Sequence, residues 1–527
     1  MKNMSFSKYI FVTGGVVSGL GKGITAASLG RLLINRGFKV TMQKLDAYLN
    51  VDPGTMNPYR HGEVFVTDDG AETDLDIGHY ERFFGRHFCR NSSVTMGKVY
   101  SNVISRERRG EYHGRDVQVV PHVTEEIKEV MKSVGKGSDI VIIEVGGTVG
   151  EIEGATYIEA IRQFRKELGP NGSVSIHVTL VPYLEVCGEI KTKPTQNSVK
   201  DLNRMGIYPD FVVCRTGKNI VIDDEARSKL TMFCNLDSNE YVIHNKDCSS
   251  IYEVPILLKE QKFDDLVLKK LGLRTFKKDD LKEWKAMVAK MQNLPNGKTV
   301  GVVGKYTTVQ DAYISISEAI KAAALACNMK LNIKYINSEE IEKEGAGKQL
   351  EGVDAVIVPS GYAVRGTDGK MLAAKWAREN RVPFLGIGLG MQMAVVEFSR
   401  NVAGLQGAHS AELVPDTKYP VFNVGEMRLG LHECILLPGT KAAKAYGRKE
   451  TGERFRNKAE FNNTYKTLLE EKGLVFSGAN KKGFSKLMEI VEIADHPYFI
   501  GVQFHPEFIS KPYAPHPLFA GLIGAIK

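Results

Sequence analysis

Apolar residues in this chain fall into short uninterrupted runs, separated by longer stretches in which they recur at helical spacing. Tyr9–Val12 is the first such run; Ile24, Ala27, Leu32 and Leu33 then fall near a 3.6-residue repeat, and Lys39–Leu45 reads as the next strand. Asp139–Val145, Ser173–Val181 and Asp210–Cys214 are further strand-like runs. Strands alternating with helices predict an α/β fold with a mostly parallel, doubly wound sheet. Arg274–Lys298 breaks the pattern. It is charged, carries Trp284 and ends in Leu294-Pro295-Asn296-Gly297, which predicts a linker helix closed by a turn. A second α/β unit is predicted beyond it, with strand Thr299–Val303, helix Ala312–Cys327, strand Leu331–Ile336 and strand Ala355–Pro359. The expected domains are therefore 1–273, a linker at 274–298, and 299–527. There is no repeat of fixed period and no low-complexity tract.

Composition narrows the classes. With 43% hydrophobic and 25% charged residues the 527-residue chain is ordinary globular protein. No apolar run approaches the roughly 18 residues of a membrane span, and Met1–Lys8 leads directly into a strand, so neither a signal peptide nor a membrane is expected. The 70 basic and 62 acidic residues leave a net charge of +8, spread along the chain. That suits small anionic ligands better than a nucleic-acid groove. Seven cysteines without a close pair argue against zinc or a disulfide framework, and for a reducing cytoplasm.

The turn after the first strand, Gly14-Gly15-Val16-Val17-Ser18-Gly19-Leu20-Gly21-Lys22-Gly23, reads as a phosphate loop, with a plain tight βα turn as the alternative. Its glycines let backbone N–H groups converge on phosphate oxygens at a helix start, and Lys22 would reach the outer phosphates. Gly23 stands where the standard phosphate loop has Ser or Thr. A triphosphate needs a divalent cation, for which Asp68–Asp76 and Glu144 are the acidic candidates, although Asp68–Asp76 taken alone reads better as a solvated turn. Glu144 ends an apolar strand, where a carboxylate faces the ligand crevice and is costly to bury alone. Lys191–Gln196 reads either as a second anion site or as a basic surface turn.

These segments together resemble the CTP synthase family. Phe11–Gly23, Lys44-Leu45-Asp46, Asn50–Met56, His61–Asp76, Glu144–Gly150 and Lys191–Gln196 carry the resemblance, which continues through Val303-Gly304-Lys305-Tyr306 over nearly the whole chain. It implies an amidoligase domain joined to a class I glutamine amidotransferase domain. In that family ATP phosphorylates O4 of UTP, ammonia attacks C4, and phosphate leaves to give CTP. By motif, Gly19, Leu20, Gly21, Lys22, Gly23 and Ile24 would hold ATP phosphates, and Lys22 and Lys44 would neutralise the transferring phosphoryl group. Asp76 and Glu144 would hold Mg²⁺, and Lys246, Asp247 and Cys248 would lie near adenine. Ser18, Lys191, Thr192, Lys193, Pro194, Thr195, Gln196 and Lys229 would bind the pyrimidine nucleotide. Glu151, Ile152 and Glu153 would belong to the CTP feedback site. A homotetramer is implied, with filaments as a further option; GTP, the family's activator of glutamine use, is left open as a partner.

The second half departs from the pattern. Phe384-Leu385-Gly386-Ile387-Gly388-Leu389-Gly390-Met391-Gln392 has the layout of a nucleophile elbow, but Gly388 stands where the family has cysteine. His505 and Glu507 match the base and its orienting carboxylate, and without a thiol they cannot form an acyl-enzyme. The neighbours also differ. Ser360-Gly361-Tyr362-Ala363 stands for Gly-Gly-Phe-Gly, His409–Leu413 for Asn-Ser-Thr-Glu-Phe, and Lys458 for an arginine on the glutamine carboxylate. Gly361, Leu389, Gly390, Met391, Gln392, Glu412 and Lys458 would be the remnant glutamine site. Natural loss of the glutaminase explains several altered neighbours better than a single engineered Cys-to-Gly change. The expectation is thus a CTP synthase fed by ammonia. The alternatives are an engineered variant, a non-catalytic regulatory or filament protein, and, from the phosphate loop alone, a cobyrinate- or biotin-type ligase.

Overall fold

The apolar runs of the first half pair into one seven-stranded sheet in the computed structural model, which describes residues 7–277, 281–295, 297–481 and 487–527. Across the sheet the strands run Val242–Lys246, Phe211–Thr216, Ser173–Leu180, Lys8–Gly14, Ile140–Val145, Val40–Asp46 and Ser93–Thr95. Every neighbouring pair is parallel. Parallel strands are covered by helices on both faces, which is why they read as continuous apolar runs; all of Ile140–Val145 is buried. Tyr9, Phe11, Tyr157 and Phe164 pack in the core on one side. The chain leaves Lys8–Gly14 toward one edge and later returns to build the other. The strand order therefore reverses at this first strand, and a ligand crevice is expected at its carboxyl end.

The second sheet has ten strands. Lys330–Asn337, Gly297–Gly304, Ala355–Val358, Phe384–Ile387 and Phe499–Val502 are parallel neighbours in that order. Met488–Ile493, Leu474–Asn480 and Tyr419–Leu436 continue it antiparallel, and Glu450–Phe461 pairs with Tyr419–Leu436. Two α/β units, one with a phosphate-type loop and one with a glutaminase-type elbow, match the expected fold class.

By packing, one compact unit holds the chain as far as Pro53 together with His79–Ala289, and the other holds Gly54–Gly78 together with Lys290–Lys527. The arm Gly54–Gly78 is fixed in the second unit by charge. Arg454, fully buried, donates from Nε to Asp68 Oδ1 at 2.7 Å and lies over the Phe65 ring. Arg454 also reaches the Phe508 carbonyl at 3.5 Å. Arg456 donates to Glu72 Oε1 at 2.7 Å and to the Gly54 carbonyl at 2.8 Å. Asp68, one of the acidic candidates, is therefore an anchor.

Within the segment expected as a linker the helix is Lys282–Gln292, and the next strand opens at Gly297 rather than Thr299, Gly297 pairing with Lys330. Asn296 of the expected turn lies outside the described residues. The helix expected over Ala312–Cys327 starts later, at Ile314, after a 3₁₀ turn. No helix among the described residues is long and apolar enough to cross a membrane.

Candidate active sites

In the first unit the seven strands of the sheet point the same way, so their carboxyl ends share one edge. That edge collects the phosphate loop after Gly14, Glu144, the Lys191–Gln196 segment that follows Ser173–Leu180, and Lys246-Asp247-Cys248. Gly19 and Gly21 adopt φ of 75° and 84°, which glycine reaches without strain. Gly14 is needed for closeness, since a Cβ there would lie 2.5 Å from Lys22 Cδ. Lys22 opens the helix Lys22–Asn35, is nearly buried, and donates to the Gly147 carbonyl at 2.8 Å. Arg215 ties the loop down through the Leu20 carbonyl at 3.0 Å and also pairs with Asp247 at 2.5 Å.

Lys44 and Glu144 face each other across adjacent strands, in register. Nζ of Lys44 is 3.2 Å from Glu144 Oε1 and 3.9 Å from Asp46 Oδ1, and the Tyr80 hydroxyl donates to Glu144 Oε2. Glu144 is thus buried but compensated. Asp76 opens the helix Asp76–Phe84, its backbone N–H donating to Asp74 Oδ1 at 2.9 Å. Among the described residues no three or more His, Cys, Asp or Glu side chains gather as a metal cage. Magnesium needs no such cage, because it takes one or two carboxylates and fills the rest with phosphate oxygens and water.

The Lys191–Gln196 segment divides in two. Thr195 and Gln196 are buried and serve the fold: Thr195 Oγ1 meets Thr179 Oγ1 and the Leu180 carbonyl, each at 3.1 Å, and Gln196 donates to Thr192 Oγ1. Lys191, paired with Glu189, and Lys193 keep access to solvent. Lys229 lies exposed on the helix Asp224–Phe233, and Ser18 is exposed in the loop. Glu151, Ile152 and Glu153 start the helix Ile152–Leu168, with Ile152 89% exposed.

In the second unit, three neighbouring parallel strands deliver Ser360, Gly388 and His505 to one place. Gly388 sits between strand Phe384–Ile387 and helix Leu389–Asn401 with φ 54° and ψ −112°. The frame around it is intact: a Cβ on Gly390 would stand 1.8 Å from the Val358 carbonyl oxygen, and one on Gly386 2.8 Å from the Gly390 backbone. His505 Nδ1 is 2.7 Å from Glu507 Oε1, and the ring stacks on Phe508. Its Nε2 is buried without a hydrogen-bond partner, 3.7 Å from where a Cβ on Gly388 would be. The same Cβ would lie 2.7 Å from Ser360 Oγ and 3.1 Å from Ser360 Cβ. Sequence reasoning placed Gly388 and His505 but missed that Ser360 crowds the position. The Ser-for-Gly exchange in the preceding loop was the available signal.

A cavity of about 350 Å³ next to the elbow is lined by Gly361, Gly388, Leu389, Gln392, Glu412 and Lys458. Burial raises the Glu412 carboxyl above its ordinary value, against the opposing charge of Lys458. Met391 and Gly390 are buried in the helix and support the site from behind. Two buried lysines brace the loop over the cavity. Lys370 Nζ donates to the carbonyls of Pro359 at 2.6 Å and Ser360 at 3.2 Å. Lys305 Nζ donates to those of Tyr362, Ala363 and Arg365. Burial, then the charge of Lys305, pushes Lys370 down to about 7; burial, then Arg365, pushes Lys305 down to about 8. Ala363 holds φ 63°, a conformation glycine adopts more easily.

Comparison with known proteins divides the chain in sequence. Residues 8–273 match the family described as CTP synthase N-terminus, and residues 308–525 match glutamine amidotransferase class-I. A CTP synthase of Clostridium acetobutylicum is 54% identical, with 98% of each chain aligned. One from Carboxydothermus hydrogenoformans is also 54% identical over 98% of each. Among solved structures, the glutaminase domain of Trypanosoma brucei CTPS with bound acivicin is 35% identical. It covers 44% of this chain and 93% of its own, with a TM-score of 0.42.

Proposed function

This chain belongs to the CTP synthase family, and we propose that it aminates UTP to CTP, with ATP as co-substrate and free ammonia as the nitrogen donor. The full-length relatives support the amination. One observation carries the ammonia reading: the elbow residue is Gly388, and Ser360 crowds the space that a nucleophile's side chain would enter. Glutamine hydrolysis in this class requires a thiolate there, which His505 and Glu507 cannot replace.

The proposed synthetase chemistry is positioning and electrostatics. Gly19–Ile24 cradle the ATP phosphates, and Lys22 and Lys44 offset charge that builds on the transferring phosphoryl group. Asp76 and Glu144 are the proposed carboxylates for magnesium, which when bound would neutralise phosphate charge. Until then Lys44 and the Tyr80 hydroxyl satisfy the two Glu144 oxygens. Ser18, Lys191–Gln196 and Lys229 form the proposed pyrimidine-nucleotide site, with Lys191 and Lys193 supplying accessible cations. Phosphorylation of UTP O4 makes a leaving group, ammonia adds at C4, and phosphate departs. Feedback by CTP at Glu151–Glu153 and tetrameric assembly belong to the same proposal.

The test is CTP formation from UTP and Mg·ATP with ammonium chloride or with glutamine. Ammonium should support synthesis, faster as pH rises and neutral ammonia replaces ammonium, while glutamine should yield neither CTP nor glutamate. Glutamate release above a buffer control would sink the ammonia-only reading. Absence of CTP with both donors would sink the synthase reading.

A further inference from the structure

His177 interrupts the apolar strand Ser173–Leu180 and is completely buried. Its Nδ1 is 2.8 Å from Thr13 Oγ1, and its Nε2 is 2.8 Å from Ser198 Oγ. Thr13 is the residue before the Gly14-Gly15 turn of the phosphate loop. Ser198 lies in the helix Lys193–Arg204, whose first turn belongs to the Lys191–Gln196 segment. The loop also meets the strand and the helix: Gly15 N–H donates to the Val178 carbonyl of the strand at 2.9 Å, and a Cβ on Gly15 would stand 2.2 Å from Ser198 Oγ of the helix. Thr195, one turn before Ser198, fixes the same helix to the same strand.

A buried polar group is kept only where it is satisfied, and an apolar residue of similar shape would fill this space at less desolvation cost. An imidazole here does what an apolar ring cannot: it bridges two hydroxyls on opposite sides of one strand position. Burial, with a smaller contribution from the charge of Lys22, lowers its pKa to about 3, so the ring is neutral throughout the working range. A neutral imidazole has one donor and one acceptor, and hydroxyls serve as either, so both bonds are made in either tautomer.

We propose that His177 is a positioning residue which, through Thr13 and Ser198, couples occupancy of the phosphate loop to the helix bearing the pyrimidine-nucleotide segment. The proposal rests on the CTP synthase reading of those two segments. ATP settling into the loop would fix Thr13, and the rigid bridge would hold the helix start in its UTP-binding pose. By linkage, UTP would tighten ATP by the same factor.

The experiment is titration of UTP into the full chain with and without a non-hydrolysable ATP analogue and magnesium. The wild type should bind UTP about five-fold or more tighter with the analogue present. In His177→Phe, which keeps a ring and loses both nitrogens, that factor should fall to within about two-fold of unity. His177→Gln, with a neutral donor and acceptor, should restore part of it. Should His177→Phe fail to fold, as judged by its thermal transition, Ser198→Ala breaks one bond of the bridge and should reduce the factor alone. A residue that merely supports the strand would lower Tm and leave the coupling factor intact. Retained coupling in Ser198→Ala and His177→Phe, or a wild type in which the nucleotides bind independently, overturns the proposal. Ammonium-dependent CTP formation by the wild type, assayed in parallel, tells failure of this coupling apart from failure of the function reading.

Discussion

Restoring the thiol tests how deeply the elbow has changed. Gly388→Cys places a side chain on backbone at φ 54° and ψ −112°, a sparsely populated conformation that costs a non-glycine residue about 1–3 kcal/mol. The new Cβ would also begin 2.7 Å from Ser360 Oγ and 3.1 Å from Ser360 Cβ. The hydroxyl can swing to another rotamer, whereas the Cβ must be displaced with its loop, which Lys370 holds by two carbonyls. The single variant should therefore lose the conformational cost of about 1–3 kcal/mol and, on top of it, the cost of displacing Ser360. It should also present its thiol off line from His505 Nε2 and release no glutamate above background. Ser360→Gly/Gly388→Cys removes the contact and keeps only the conformational cost. It should regain part of the lost stability and show more glutamate release than the single variant, though weak, because Lys458 lacks the bidentate fork of an arginine. The assays are chemical denaturation for stability and a coupled measurement of glutamate and CTP. Brisk glutamine-dependent CTP synthesis by Gly388→Cys alone would refute the argument from Ser360. It would also make the glycine an isolated change in an otherwise working glutaminase.

Two further outcomes are expected. Lys22→Ala should abolish ammonium-dependent CTP formation, because the proposed phosphate site loses its nearest cation; a variant with near wild-type rate would remove Lys22 from the phosphoryl-transfer step. Lys370 and Lys305 bind protons less tightly when folded than when unfolded, so the unfolded state holds more protons between their folded and unfolded pKa values. Stability of the second unit should therefore rise as pH climbs from about 7 toward 10, with a slope of at most about 1.4 kcal/mol per pH unit for each lysine. Denaturation midpoints that do not rise over this range, or a Lys370→Met variant with the wild-type slope, would contradict it.

What the sequence reveals depends on whether a feature is local. Tyr9–Val12 and Asp139–Val145 announce themselves as strands because parallel strands covered on both faces must be apolar throughout. The phosphate loop is equally legible, since Gly19 and Gly21 occupy backbone that other residues resist. Strand Val242–Lys246 carries His244, Asn245 and Lys246 and gave no such signal; its core contribution is Val242 and Ile243. The arm Gly54–Gly78 could not be placed by pattern either. Its position rests on Arg454–Asp68 and Arg456–Glu72, pairs separated by nearly four hundred residues. Sequence spacing says nothing about ion pairs across such a distance.

The same distinction explains the elbow. Its layout survives in the sequence because Gly386 and Gly390 are demanded by backbone that passes within contact distance, whatever chemistry the site performs. Gly388 is different: the turn accepts glycine with less strain than cysteine, so once hydrolysis is not required, conformational energy favours the replacement. Ser360 then has room that a side chain at 388 would deny it, and Ala363 can take a left-handed conformation in a loop still pinned by Lys305 and Lys370. The fold keeps its frame at Gly386 and Gly390 and the His505–Glu507 pair, while the elbow residue and the loop that faces it are the positions that depart from the family pattern. On the proposed ammonia-fed reading, such a pattern is what loss of a catalytic group from a scaffold still useful for packing would leave. It also ranks the substitutions: reversing Gly388 meets Ser360 first, the loop second and Lys458 last.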